Sequence, residues 1–190
     1  MRHYLSAAVL LVSLSAVARA DGLLYKLSED GSWVRFKMEY TLQVGGMDQS
    51  SEGAVTMSSV GAVKENDQPL RWIEFKLEPE NDKEVVKLLV PEKHLKGGED
   101  PLTHVARAWI KRANSEAEPL ADPAGHDALK VLLAGPLKDL KKLDKQTVES
   151  KLGKLECEGL TGQTHLKSGN EEVDVTYTVR LHDRAPFGVV

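Results

Sequence analysis

From Trp33 to Val44 the chain alternates apolar and polar residues without a break. Val34, Phe36, Met38, Tyr40, Leu42 and Val44 take one phase, and Arg35, Lys37, Glu39, Thr41 and Gln43 take the other. A period of two sends successive side chains to opposite faces of an extended strand, so one face is buried and the other is wet. A strand of this length spans roughly 40 Å at about 3.4 Å per residue, and a sheet of such strands curves. The same alternation returns at 173–181, where Val173, Val175, Tyr177, Val179 and Leu181 share one phase. It recurs at 71–78, with Ile73, Phe75 and Leu77 opposed to Glu74, Lys76 and Glu78. Segments 54–60 and 83–90 follow it more weakly, with Pro91 closing the second, and 147–157 holds one or two further strands broken near Gly153.

The middle of the chain changes period. Asp100-Pro101 reads as an N-cap with proline at the first helical position. Leu102, Val105, Ala106, Trp109 and Ile110 then recur at helical spacing, which predicts a helix ending near Arg112. Segment 114–125 carries Pro119 and Pro123 and reads as a loop. Asp127 can cap a second short helix through Leu133, closed by Gly135-Pro136, and Leu137, Leu140 and Leu143 add one or two helical turns. Residues 185–190 read as a short edge strand. Strands, then helices, then strands predict an α+β fold. Its strongly curved antiparallel sheet has about seven or eight strands, with a central insert of two or three short helices packed on it.

The start of the chain reads as an export signal. Arg2 precedes an uncharged run from Leu5 to Val17, thirteen residues long, and Ala18-Arg19-Ala20 offers small residues at a cleavage site. The run is short of the roughly 20 residues a membrane span needs. Residues 1–20 are thus expected to be a signal peptide for the general secretory route. Residues 21–190 are expected to form one soluble domain without a transmembrane segment, periplasmic or extracellular. Loss of Arg2 and Arg19 takes the formal charge from −4 to −6. That acidic balance argues against nucleic acid as a partner. The lone Cys157 excludes an internal disulfide.

Recognisable catalytic chemistry is sparse. Cys157 lies between Glu156 and Glu158, which oppose thiolate formation, and it alternates in phase with Leu155, so it reads as a small core residue. No nucleophile elbow, phosphate loop or paired-cysteine motif is present. His94, Glu99, Asp100 and His104 lie close in sequence and can gather at the start of the expected helix, although a polar loop is the plainer reading. Lys138, Lys141, Lys142 and Lys145, with Leu137, Leu140 and Leu143, make one small basic amphipathic stretch. Trp72 has the parity opposite to Ile73, Phe75 and Leu77 and stands on the wetter face. Trp109 sits on the apolar stripe of the expected helix and reads as core.

This layout, an export signal with long antiparallel strands around a helical insert, resembles exported bacterial proteins of the lipoprotein-carrier (LolA-like) half-barrel type. The segments Trp33-Val34-Arg35-Phe36 and Leu89-Val90-Pro91-Glu92-Lys93 and the ending 185–190 are the most distinctive, and none carries catalytic residues. The resemblance implies a hydrophobic cavity between sheet and helices.

The expected function is therefore a non-enzymatic exported binding module, with no cofactor and no assigned metal. It would hold an apolar small molecule or an envelope protein against Phe36, Met38, Tyr40, Ile73, Phe75, Val105 and Trp109. The same residues would serve equally in a filled core. Two other readings stand beside it: a cell-envelope interaction protein without a cavity, using Trp72 and the lysine cluster, and a metal-dependent hydrolase at His94 and His104.

Overall fold

The computed structural model describes residues 23–44, 47–79, 83–133, 138–168 and 171–190. The side chains of 38–44, 47–51, 79, 164–168 and 171–175 fall outside that description, as does the expected signal peptide at 1–20. Strands β1 (Trp33–Val44), β2 (Met47–Glu65), β3 (Gln68–Pro79), β4 (Glu84–Pro91), β5 (Arg107–Arg112) and β6 (Glu118–Pro119) form one antiparallel sheet in sequence order. Strands β7 (Lys138–Ser150), β8 (Gly153–Ser168) and β9 (Glu171–Leu181) form a second. Neither sheet closes on itself.

Local sequence explains the turns. Between β2 and β3, Asn66 and Asp67 both take positive φ (48° and 62°), the two-residue connection whose twist matches a hairpin. Ser59 and Ala62 bracket an irregularity in β2, where Gly61 has φ 131°. An extra residue here bends the strand and sharpens its twist. Met57, Ile73, Phe75, Val86 and Ile110, inward-facing on β2 to β5, are at most 2% exposed and belong to the main core.

Two parts of the expected helical insert are strands. Residues 102–112 form a 3₁₀ turn, Pro101–His104, followed by β5. Leu102, Val105, Ala106, Trp109 and Ile110 satisfy a helical period, but 107–112 also alternates, and Ala108 and Ile110 are buried while Trp109 is 41% exposed. The free edge of β4 decides between the two patterns: six residue pairs join it to β5, from Glu84↔Arg112 to Leu89↔Arg107. Tertiary pairing overrides a local period that fits both states. Trp109 is therefore not a core residue. Leu140 and Leu143 belong to β7, not to a helix. Their spacing of three arises from the register shift between Lys138 and Lys141, and β7 carries a second shift between Leu143 and Gln146. Each shift inserts a residue and breaks the period of two.

Among the described residues, what remains helical is α1 (Asp127–Leu132), six residues capped by His126 and not by Asp127, which stands in the first turn, and three 3₁₀ turns. Leu129, Leu132 and Leu133 close the main core from this side. His126 Nε2 lies 2.9 Å from Glu84 Oε1, which ties α1 to β4. Residues 185–190 form a 3₁₀ turn, Pro186–Gly188, with a single bridge from Leu181 to Val189, instead of an edge strand. Cys157 is fully buried, in agreement with its alternation.

The terminal segments join the two sheets. Phe187 is fully buried in the main core, while Val189 packs with Leu160, Val179 and Leu181 of the second sheet. The backbone of Phe187 takes φ 57°, an unfavourable region for a bulky residue. Its N–H donates to Ser28 Oγ, and its carbonyl accepts from Tyr25 N at 2.9 Å and Lys26 N at 3.1 Å. Phe187→Ala should cost about 3–5 kcal/mol, the usual loss for a fully buried aromatic, read as a lower midpoint in urea unfolding. Tyr177 supplies a second tie, its phenol donating to the Val131 carbonyl at the end of α1. Burial pushes this phenol up to about 12 from its usual 10.0. Its stabilising effect is complete below pH 10.0 and lost as pH rises towards about 12. Tyr177→Phe should accordingly flatten the fall in melting temperature across that interval.

Candidate functional site

The residues nominated from sequence separate into two places. Ile73 and Phe75, 1% and 0% exposed, lie inside the main core. Phe36 and Val105 are half-buried and pack against it. Met38 and Tyr40 stand on β1, with side chains outside the described residues. Trp109 does not join this group. It faces the other side of the sheet, with Arg107 and Lys111.

That other side gathers all three tryptophans of the chain. The registers run Trp33↔Ser58, Ser58↔Glu74, Glu74↔Lys87 and Lys87↔Trp109, one transverse row across five strands. Trp33 and Trp109 are 53% and 41% exposed. Four strand spacings separate them, about 19 Å. The neighbouring row is Trp72, Leu89 and Arg107. Arg107 reaches across Leu89 to lie over the Trp72 ring, 5.7 Å from its centroid, and Lys87 approaches the same ring at 5.6 Å. Cation–π attraction of this exposed kind is worth about 0.5–1 kcal/mol. The cover also explains Leu89, which is 0% exposed yet lies outside the main core cluster.

Charge on this face is mixed. By register, Arg35, Lys37, Lys76, Lys87, Arg107 and Lys111 share its parity with Glu39, Asp48, Glu52, Glu65, Glu74 and Glu78. The basic residues gather towards β4 and β5, where Lys87, Arg107 and Lys111 stand. Arg35–Glu78 at 2.6 Å, Lys37–Glu52 at 3.2 Å and the Arg107–Glu65 pair hold several of these side chains in place. The expected basic patch at Lys138, Lys141, Lys142 and Lys145 lies elsewhere, on β7, with all four lysines exposed.

A second cluster lies in the connection from β4 to β5. One ligand atom each from His94, Glu99 and His104 falls within 4.8 Å of the others. The two imidazole rings stack, with centroids 3.5 Å apart and planes inclined by 10°. His94 Nδ1 lies 3.1 Å from Glu99 Oε2, and this hydrogen bond holds the Glu99 carboxyl below the usual carboxylate range. Asp100, grouped with them in sequence, instead caps the 3₁₀ turn by accepting from Leu102 N at 3.0 Å. Among the described residues no helix is long and apolar enough to cross a membrane.

Trp33 has no face assigned from sequence, although its shared phase with Arg35 and Lys37 is a signal that places it outward, whereas the helical expectation for 102–112 concealed Trp109. No family model, no curated protein and no solved structure matches the chain, so geometry carries the functional argument. The outward setting of Trp109 has a direct consequence. Trp109→Ala should lower stability by about 1 kcal/mol or less, against about 3–5 kcal/mol for a tryptophan in a core, as measured by denaturant unfolding.

Proposed function

We propose that this chain is an exported, non-catalytic interaction module that docks an acidic partner protein of the cell envelope on the outer face of its six-stranded sheet. The observation that carries this reading is the placement of Trp33, Trp72 and Trp109 on that one face, with Lys87 and Arg107 against the Trp72 ring. Tryptophan and arginine are the residue types that dominate protein interfaces, because a large rigid ring or a planar guanidinium loses little freedom for the area it buries. An open tryptophan at either end of the row would act as an anchor. Lys87 and Arg107 would steer an acidic surface between the anchors and set its register. A sheet bent at the Ser59–Ala62 irregularity, with α1 and the 3₁₀ turns closing its inner side, gives that face its shape.

The alternative, an apolar cargo held between sheet and helices in the manner of half-barrel carriers, asks Ile73 and Phe75 to line a cavity. Both side chains are already enclosed by Met57, Val86, Ile110 and Leu129 in one cluster. That packing favours the outer face over the inner one.

Photo-crosslinking residues introduced at Trp33, Ser58 or Trp109 in cells of the native host test this. A discrete adduct with an acidic protein is expected at these positions and not at Lys151, which lies on the second sheet's hairpin. Combining Lys87→Glu with Arg107→Glu should reduce the adduct at least about tenfold, as expected when like charges face each other. Adducts of equal strength from Lys151, or none from the tryptophan row, would exclude this face as the docking surface.

A further inference from the structure

We infer that the connection between β4 and β5 is a site for a zinc-class divalent cation, with His94, Glu99 and His104 as its protein ligands. The inference begins with how the sequence shapes this segment. Pro91 ends β4, and Glu92–His94 forms a 3₁₀ turn. Gly98 takes φ 90°, a conformation that a side chain would strain, and reverses the chain. Asp100 caps the next turn, where Pro101 is already set for the first helical position. The two turns bring His94 and His104 side by side although nine residues separate them in between, and they leave Glu99 at the ring edge of His94.

The segment is anchored to the fold rather than loose. Leu95 and Leu102, 1% and 8% exposed, insert into the main core between the ligands. Gly97 N donates to Tyr25 O at 2.8 Å, and Ala106 N donates to Leu89 O at 2.8 Å. The donors are therefore held near one another before any ion arrives, which lowers the cost of assembling the site. His94 and Glu99 are half-buried and His104 is exposed, so the cluster opens to solvent on one side.

The donor set selects the ion. Two imidazoles and one carboxylate are the ligands of borderline divalent metals such as zinc, which binds three protein groups and leaves a fourth position to water. Calcium and magnesium need six or more oxygen ligands, which this cluster does not supply. Bonds of about 2.0–2.2 Å around a tetrahedral ion place ligand atoms roughly 3.4 Å apart. His94 Nδ1 and Glu99 Oε2 are already at 3.1 Å, and all three donor atoms lie within 4.8 Å. In the stacked arrangement the two rings direct their lone pairs in parallel planes, so one ring must turn to share an ion. His104, being exposed, has the room to do so.

The test uses the untagged full chain, stripped with a chelator and titrated with Zn²⁺ by calorimetry, and with Co²⁺ by visible absorption. One ion per chain is expected, with a low-coordinate Co²⁺ band, and Zn²⁺ should raise the melting temperature. His104→Ala removes an exposed ligand and should weaken binding by more than about a hundredfold, beyond what loss of an outer-shell partner costs. Glu99→Gln preserves the shape of the turn and should likewise weaken binding, while both variants melt with the wild type in chelator. Zn²⁺ uptake by His104→Ala and Glu99→Gln equal to that of the wild type, or no saturable uptake by the wild type, would overturn the assignment.

Discussion

The burial of Phe187 is the constraint on which the remaining structure depends. The two sheets form separate hydrogen-bonded ladders, so their union rests on side-chain packing and on the terminal segments. Phe187 fills the core of the first sheet while its neighbour Val189 bridges to Leu181 on the second. The same residue accepts hydrogen bonds from Tyr25 and Lys26, which fixes the N-terminal segment beside it. Gly188 follows with φ 81°, and a Cβ there would meet Tyr25 Cβ at 3.2 Å. A bulky residue holds a left-handed conformation only when its surroundings over-determine it. Here three backbone hydrogen bonds and complete burial supply that determination. The N-terminal segment then extends the constraint outward: Leu23 N donates to Leu132 O at the end of α1, and Tyr25 O holds Gly97 in the histidine-bearing connection.

The first sheet is consequently two-sided in a specific sense. Its inner face is satisfied by α1, the 3₁₀ turns and Phe187. Its outer face is not bare, since salt bridges lace it and Arg107 covers Leu89. It nevertheless displays large rings that the core does not use. Burying a side chain of this size contributes about 1.5–3 kcal/mol, so leaving Trp33 and Trp109 exposed forgoes stabilisation that an inward position would have supplied. Flanking bases make these rings amphipathic platforms instead of simple apolar patches, a combination suited to an interface that must also remain compatible with water.

Strands whose inward residues are also their neighbours in a regular ladder were legible in the sequence. The alternation in β1, β3 and β9 predicted those elements, and the break near Gly153 predicted a turn between strands. Legibility failed where the ladder is irregular or short. In β7, the residue inserted between Lys138 and Lys141 turns a period of two into a spacing of three, and Leu140 and Leu143 then imitate a helix. In β5, six residues satisfy both periods, and only the unpaired edge of β4 resolves them. That edge is a property of the folded sheet, so no local window contains it. The histidine cluster was visible as a grouping of His94, Glu99, Asp100 and His104, but the departure of Asp100 to cap Leu102 depends on the turn geometry. The tryptophan row required the register of five strands at once.

The outer face and the histidine cluster share one structural determinant, the connection of residues 92–106. Its first end continues β4, which carries Lys87 and Leu89. Its second end delivers β5, which carries Arg107 and Trp109. The position of Arg107 over Trp72 therefore depends on β5 entering in register with β4, and that register is fixed by Ala106 N to Leu89 O and by the burial of Leu95 and Leu102. A connection tied down only by solvent-exposed contacts would let β5 slip, and a slip of one residue would exchange the faces of Ala108 and Trp109. Anchoring two leucines of the connection in the core prevents this. It also holds His94 and His104 at stacking distance on the opposite, solvent-facing side of the same segment. The burial that specifies the register thus brings the donor groups together, so both features follow from one element of the core.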